Sequence, residues 1–177
     1  MLLYVALIIV LSIGAEAHGA DWKFYGEGGP PKSDALIAYY DAMSIERLSD
    51  GHVKAWTKGI SPSEVERIMT LEEVTKRAAL KIKAGYVPPY ILSHPKPEPG
   101  YEVNTRIIYW EEAANYDVIK SKLKVFYELN CKAKEIQTLS SISYTNDGKT
   151  EARSDADKWI SISPGSNSET LHKILCK

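Results

Sequence analysis

The chain has 177 residues, 44% of them hydrophobic, with 22 basic against 23 acidic side chains and a net charge of −1. That length suits a single domain with one sizeable core. A near-neutral chain lacks the concentrated basic field that a nucleic-acid partner requires, so none is expected.

Leu2 to Ile13 form an apolar run that ends in Gly14 and the small-residue sequence Ala15-Glu16-Ala17. This reads as a secretory signal over residues 1–17, with the mature domain occupying 18–177. The run is shorter than the roughly 18 apolar residues of a membrane span, so the mature chain is expected to carry no transmembrane segment. Because no cysteine lies near the cleavage site, the sequence does not support a bacterial lipid anchor.

The chain then reads as short strands. Asp21 to Gly26 precede a Gly/Pro loop, and Ala35 to Asp41 form a Tyr-rich strand. The turn Ser49-Asp50-Gly51 leads into an alternating strand over His52 to Lys58, and the insert Met43 to Arg47 interrupts this hairpin. The period changes at residue 61. Ser61-Pro62-Ser63-Glu64 has capping-box spacing, with proline at the first helical position. Val65, Ile68, Leu71, Thr75, Ala78 and Ile82 recur at helical intervals, which predicts one long amphipathic helix over 61–84. Pro88, Pro89, Pro95, Pro97 and Pro99 then predict an extended surface segment over 86–101, and Asn104 to Trp110 read as a strand.

Lys122 to Cys131 make the clearest strand. Leu123, Val125, Tyr127 and Leu129 share one face, and the same parity turns the Cys131 side chain toward the core. Glu135 to Thr145 return as its partner, a polar loop follows Gly148, and Trp159 to Ile162 read as a further strand. Ser166-Asn167-Ser168-Glu169 repeats the capping-box spacing and starts a short helix with Leu171, Ile174 and Leu175 on one side. An ideal helix would carry Cys176 off that stripe, so the helix should end just before it. The expected fold is α+β: one antiparallel sheet of about six strands, one long helix, and a short C-terminal helix.

An exported chain meets oxidising conditions, and its two cysteines, Cys131 and Cys176, are expected to form one structural disulfide. The histidines at 18, 52, 94 and 172 have no ligand spacing to these cysteines, and there is no C-x-x-C, so neither a metal nor a cofactor is expected. Glu111-Glu112 could serve acid–base chemistry, but on a strand end the two would point apart into solvent. Ser166 lacks a nucleophile elbow and is explained by capping, and Tyr39-Tyr40-Asp41 by a half-buried strand end. No enzymatic role is expected. Tyr86, Tyr90, Ile91 and Tyr101 either fold back over the sheet or form a partner-binding segment, since proline-rich chain loses little entropy on binding.

The chain carries, in order, Asp21-Trp22, Tyr39-Tyr40-Asp41, Ser44-Ile45, Val53 to Trp56, Tyr127 to Cys131, Leu139-Ser140, Trp159-Ile160, Pro164-Gly165-Ser166 and Leu175-Cys176. Motifs in this order resemble the surface-adhesin protein E-like family of bacterial exported proteins. The resemblance departs between about Ser61 and Ile119, where the helix and Pro/Tyr segment look like an insertion. It implies a sheet with helices packed against it and a disulfide joining a strand to the C-terminal helix. It also implies binding to extracellular-matrix-like or envelope proteins, and a dimer. The expected function is a non-enzymatic, adhesin-like binding domain at the cell surface or in the periplasm. The alternative is a periplasmic structural or accessory protein without a host ligand.

Overall fold

The computed structural model describes residues 19–28, 35–93, 101–116, 120–145 and 148–177; the expected signal lies outside them. Among the described residues, eight strands build one antiparallel sheet: β1 (Trp22–Gly28), β2 (Leu36–Asp41), β3 (Glu46–Arg47), β4 (His52–Ile60), β5 (Leu123–Asn130), β6 (Glu135–Tyr144), β7 (Thr150–Arg153) and β8 (Ile160–Ser161). Their spatial order is β1-β2-β4-β5-β6-β7, with β3 beside β4 and β8 beside β6. The helices are α1 (Pro62–Met69), α2 (Glu72–Lys83), α3 (Pro89–Ser93), α4 (Tyr101–Ala114) and α5 (Asn167–Leu175).

Strand alternation makes two cores, one on each face of the sheet. Trp22, Phe24, Ile37, Tyr39 and Ile60 face α1, α2 and α4, where they meet Val65, Ile68, Val74, Ile107 and Trp110. The intervening residues Tyr25, Tyr40, Val53 and Ala55 face the other way, against Leu171, Ile174 and Leu175 of α5. At Gly26 the β1 backbone passes close under α5: a Cβ there would lie 2.3 Å from the Asn167 Oδ1.

The α5 helix is fixed at both ends. Ser166 caps its start, accepting the Glu169 N–H at 3.1 Å, while the Glu169 carboxylate accepts the Gly165 N–H at 2.8 Å. Its last residue is Leu175, and Cys176 has left helical geometry, as the stripe argument expected. The Cys131–Cys176 disulfide is formed, with a Cα–Cα distance of 5.4 Å. Two hydrogen bonds reinforce it. The Arg47 Nη1 donates to the Leu175 carbonyl at 2.6 Å, and the His172 Nε2 donates to the Cys131 carbonyl at 3.1 Å.

The middle of the chain departs from expectation. The single helix expected over 61–84 is two helices, because Leu71 adopts extended backbone (φ −69°, ψ 135°) between them. Thr70 folds its hydroxyl back on the Arg67 carbonyl at 2.8 Å, and Thr75 bonds to the Leu71 carbonyl through its N–H and its hydroxyl. The break re-phases the stripe, burying Val65 and Ile68 from α1 and then Val74 and Ala78 from α2. The Ser61 side chain makes no cap bond; its expected box partner Glu64 is taken by Arg67 at 2.8 and 2.9 Å.

Within 86–101, Pro88 and Pro89 begin the short helix α3 instead of forbidding one, since proline at a helix start forfeits only an N–H with no helical partner. Asn104 to Trp110 lie inside α4 and not in a strand. Their β-branched residues suggested a strand, but burial at Ile107, Trp110 and Ala114 follows the helical repeat. The polar stretch after Gly148 holds β7, which pairs with β6.

The disulfide closes a separation of 45 residues. Replacing both cysteines by serine should lower unfolding free energy by up to about 4 kcal/mol, read from urea denaturation of the non-reduced protein. An unchanged denaturation midpoint would contradict a stabilising role for this bond.

Candidate functional site

The polar centre of the molecule lies where α4 meets β1. As the first strand in the sheet order, β1 presents one row of backbone groups that no strand among the described residues pairs. Side chains from α4 take that row. The Trp22 N–H donates to the Asn115 Oδ1 at 2.7 Å, and the Asn115 Nδ2 donates to the Trp22 carbonyl at 3.0 Å. Two residues along, the Phe24 N–H donates to the Glu111 Oε1 at 3.2 Å. The second oxygen of Glu111 accepts the Tyr86 hydroxyl at 2.8 Å. Glu112 points elsewhere on the helix and pairs with Lys81 of α2. At the end of α4, the Lys58 ammonium donates to the Ala114 carbonyl at 2.7 Å and lies 4.2 Å from the Trp22 ring centroid. It therefore caps the negative end of the helix while resting on an aromatic face.

Both glutamates are buried, Glu111 completely, which overturns the expectation of a solvated pair at a strand end. On a helix, adjacent residues are about 100° apart, so both can turn inward toward different partners. Burial pushes the Glu111 carboxyl up to about 7, against the opposing pull of Tyr86, Lys23 and the Phe24 N–H. Burial, and then Lys124, lower Lys58 to about 7. Burial raises the Tyr39 and Tyr86 phenols, and in each case the charge of Glu111 adds to the effect. Both oxygens of Glu111 are thus engaged in holding structure. The sequence held a signal for it: Glu111 falls on the stripe of Ile107, Trp110 and Ala114.

The residues expected to form a binding segment are placed around this centre. The Tyr86 ring lies between two ammonium groups, 5.2 Å from Lys23 and 5.0 Å from Lys81. Tyr90 meets Phe24 edge-on at 4.9 Å, and Ile91 packs on the same core. Tyr101 opens α4; its side chain lies outside the described residues. Val87, Leu92 and Val103, from the same part of the chain, are exposed. Beside Tyr90, an open cleft of about 430 Å³ is bordered by Phe24, Glu27, Glu169, Thr170 and Lys173. A second cleft of about 290 Å³ lies between α5 and the sheet, lined in part by Tyr25, Leu36, Tyr127 and Leu171.

Together these features define an α+β domain in which one antiparallel sheet carries a helical layer on one face and a disulfide-anchored helix on the other. A family model described as Surface-adhesin protein E matches residues 100–177 of this chain. The match begins at the start of α4 and takes in β5 to β8, α5 and both cysteines. Among solved structures, crystal form II of Haemophilus influenzae protein E aligns over 85% of this chain and 95% of its own, at 13% identity and a TM-score of 0.38. No curated protein matches the chain. No helix among the described residues is long and apolar enough to cross a membrane.

Glu111 makes stability depend on pH. Between about 4.5 and 7 the folded chain holds a proton that the unfolded chain releases, so stability falls as pH rises through that window. Lys58 acts in the opposite sense and in a higher window: its penalty is complete below about 7 and disappears toward 10.5. Glu111→Gln keeps an acceptor for the Phe24 N–H and removes the titration. Denaturation at pH 5 and pH 8 should show the parent losing stability relative to this variant, by at most roughly 3 kcal/mol for a shift of this size. An equal change in both proteins would contradict this role for Glu111.

Proposed function

We propose that this chain is a non-enzymatic exported domain that binds other proteins, of extracellular-matrix or envelope type, at the bacterial surface or in the periplasm. The observation that carries this reading is the surface-adhesin match over residues 100–177, a region that includes the disulfide anchoring α5. The state of Glu111 favours the same reading, because its two oxygens are occupied by Phe24 and Tyr86.

The contact surface in this proposal is the outer side of residues 86–93 together with Val103. Tyr86, Tyr90 and Ile91 hold the segment down, with their bulk directed into the molecule. Val87, Leu92 and Val103 remain exposed to meet a partner. The neighbouring cleft supplies acidic and basic groups from Glu27, Glu169 and Lys173 around an aromatic wall, a suitable seat for a side chain of a bound protein.

The test is capture of proteins from envelope extracts and from matrix-protein mixtures on the immobilised domain. A Val87→Ser/Leu92→Ser variant should retain at least about tenfold less of any captured partner, since apolar groups central to an interface each contribute more than 1 kcal/mol. Its thermal melt should match the parent's. Equal capture by parent and variant would rule out this surface.

A further inference from the structure

The cleft beside Tyr90 carries an uneven charge. It opens where α3 and α5 approach each other at the end of β1, and three ionic groups border it: Glu27, Glu169 and Lys173. Two of them answer each other. The Glu169 Oε1 lies 3.2 Å from the Lys173 ammonium, and its Oε2 accepts the Gly165 N–H at 2.8 Å. Glu27 is exposed, and its carboxylate forms no ion pair or hydrogen bond among the described residues. The cleft therefore holds one unbalanced negative charge.

The strand register places that charge. Glu27 pairs with Ile37, whose side chain belongs to the helical face of the sheet, and directly opposed residues share a face. The carboxylate therefore rises on the same side as Phe24 and Tyr90, and its charge reaches the buried Tyr39 phenol of that face. Phe24 and Tyr90 form the aromatic wall. They meet edge-on at 4.9 Å, so ring surface of the half-buried Tyr90 stays open to the cleft. Asn167 and Thr170 add neutral polar groups to the rim.

A group that suits both the charge and the wall is cationic and flat. A guanidinium forks onto a carboxylate and lies on an aromatic ring, whereas an ammonium is a strongly hydrated point charge with no plane to stack. A carboxylate or phosphate would meet Glu27 as a like charge.

We propose that this cleft receives an arginine side chain of the bound protein, with its guanidinium paired to Glu27 and resting on the Tyr90 ring. The assignment rests on the reading of this chain as a protein-binding domain, and it names the residue that the partner presents here.

Titration of the isotope-labelled protein with Nα-acetyl-arginine amide, followed by amide chemical shifts, tests this without any partner. The matching lysine and citrulline amides serve as comparisons, citrulline keeping the shape of arginine without its charge. The arginine probe should bind at least about threefold more tightly than either, the scale of one exposed ion pair with a cation–π contact. Its shifts should centre on Gly26, Glu27, Tyr90 and Thr170. Glu27→Gln should lower arginine affinity by at least about threefold and leave citrulline unchanged; the position is exposed, and circular dichroism checks that the fold is kept. Equal binding of the three probes, shifts centred elsewhere, or an arginine affinity indifferent to Glu27→Gln would each overturn the proposal. Capture from extracts is read separately. A protein that captures partners without preferring arginine overturns this assignment alone, and one that prefers arginine but captures nothing overturns the broader reading alone.

Discussion

The contact on which the rest of the molecule depends is the seating of α4 on the free edge of β1. Asn115 presents an amide to the Trp22 backbone, oxygen to N–H and nitrogen to carbonyl, as a neighbouring strand would. Glu111 continues the row at Phe24. Unmet backbone groups at this depth would each cost about 1–3 kcal/mol, so the sheet ends stably here only with α4 in place. The same helix brings Ile107 and Trp110 onto Phe24, Tyr39 and Ile60, and supplies the carboxylate that holds Tyr86. Residues 86–93 therefore lie against the domain because the sheet edge is closed.

Closing that edge with a carboxylate has an electrostatic consequence. A fully buried Glu111 pays for losing water with three contacts: two hydrogen bonds and the nearby positive charge of Lys23. Lys58 is the complementary case, a buried ammonium turned toward the last carbonyl of α4 and an indole face. Each arrangement offsets part of the cost of burying a charge, and together they fix both the position and the end of the helix. The opposite face uses a covalent solution, in which a disulfide and the Arg47 guanidinium hold a helix of nine residues.

The parts of this fold legible in the sequence were those governed by short-range rules. Period-two alternation identified β4 and β5, a Tyr-rich apolar run identified β2, and β6 was read as the returning partner of β5; the parity of Leu129 carried Cys131 inward, and Ser166 marked the start of α5. The stripe geometry also placed the end of that helix before Cys176. The middle of the chain resisted because tertiary contacts decide it. Ile107, Ile108 and Trp110 suit a strand or a helix equally by composition, and α4 forms because its apolar side packs on β1, α1 and α2. The break at Thr70-Leu71 lets α2 bury Val74, a re-phasing that no local signal announced. Glu111 was misplaced for the same reason: its partners Phe24 and Tyr86 are 87 and 25 residues away.

Amide hydrogen exchange tests the central claim most directly. The account predicts that the Trp22 and Phe24 amides, on the side of β1 that faces no strand, are protected in the parent. Asn115→Ala should strip protection from Trp22 while the Leu129 amide, near the disulfide, keeps its own. Trp22 and Phe24 amides that exchange freely in the parent, or a Trp22 amide indifferent to the loss of Asn115, would show that α4 does not close this edge.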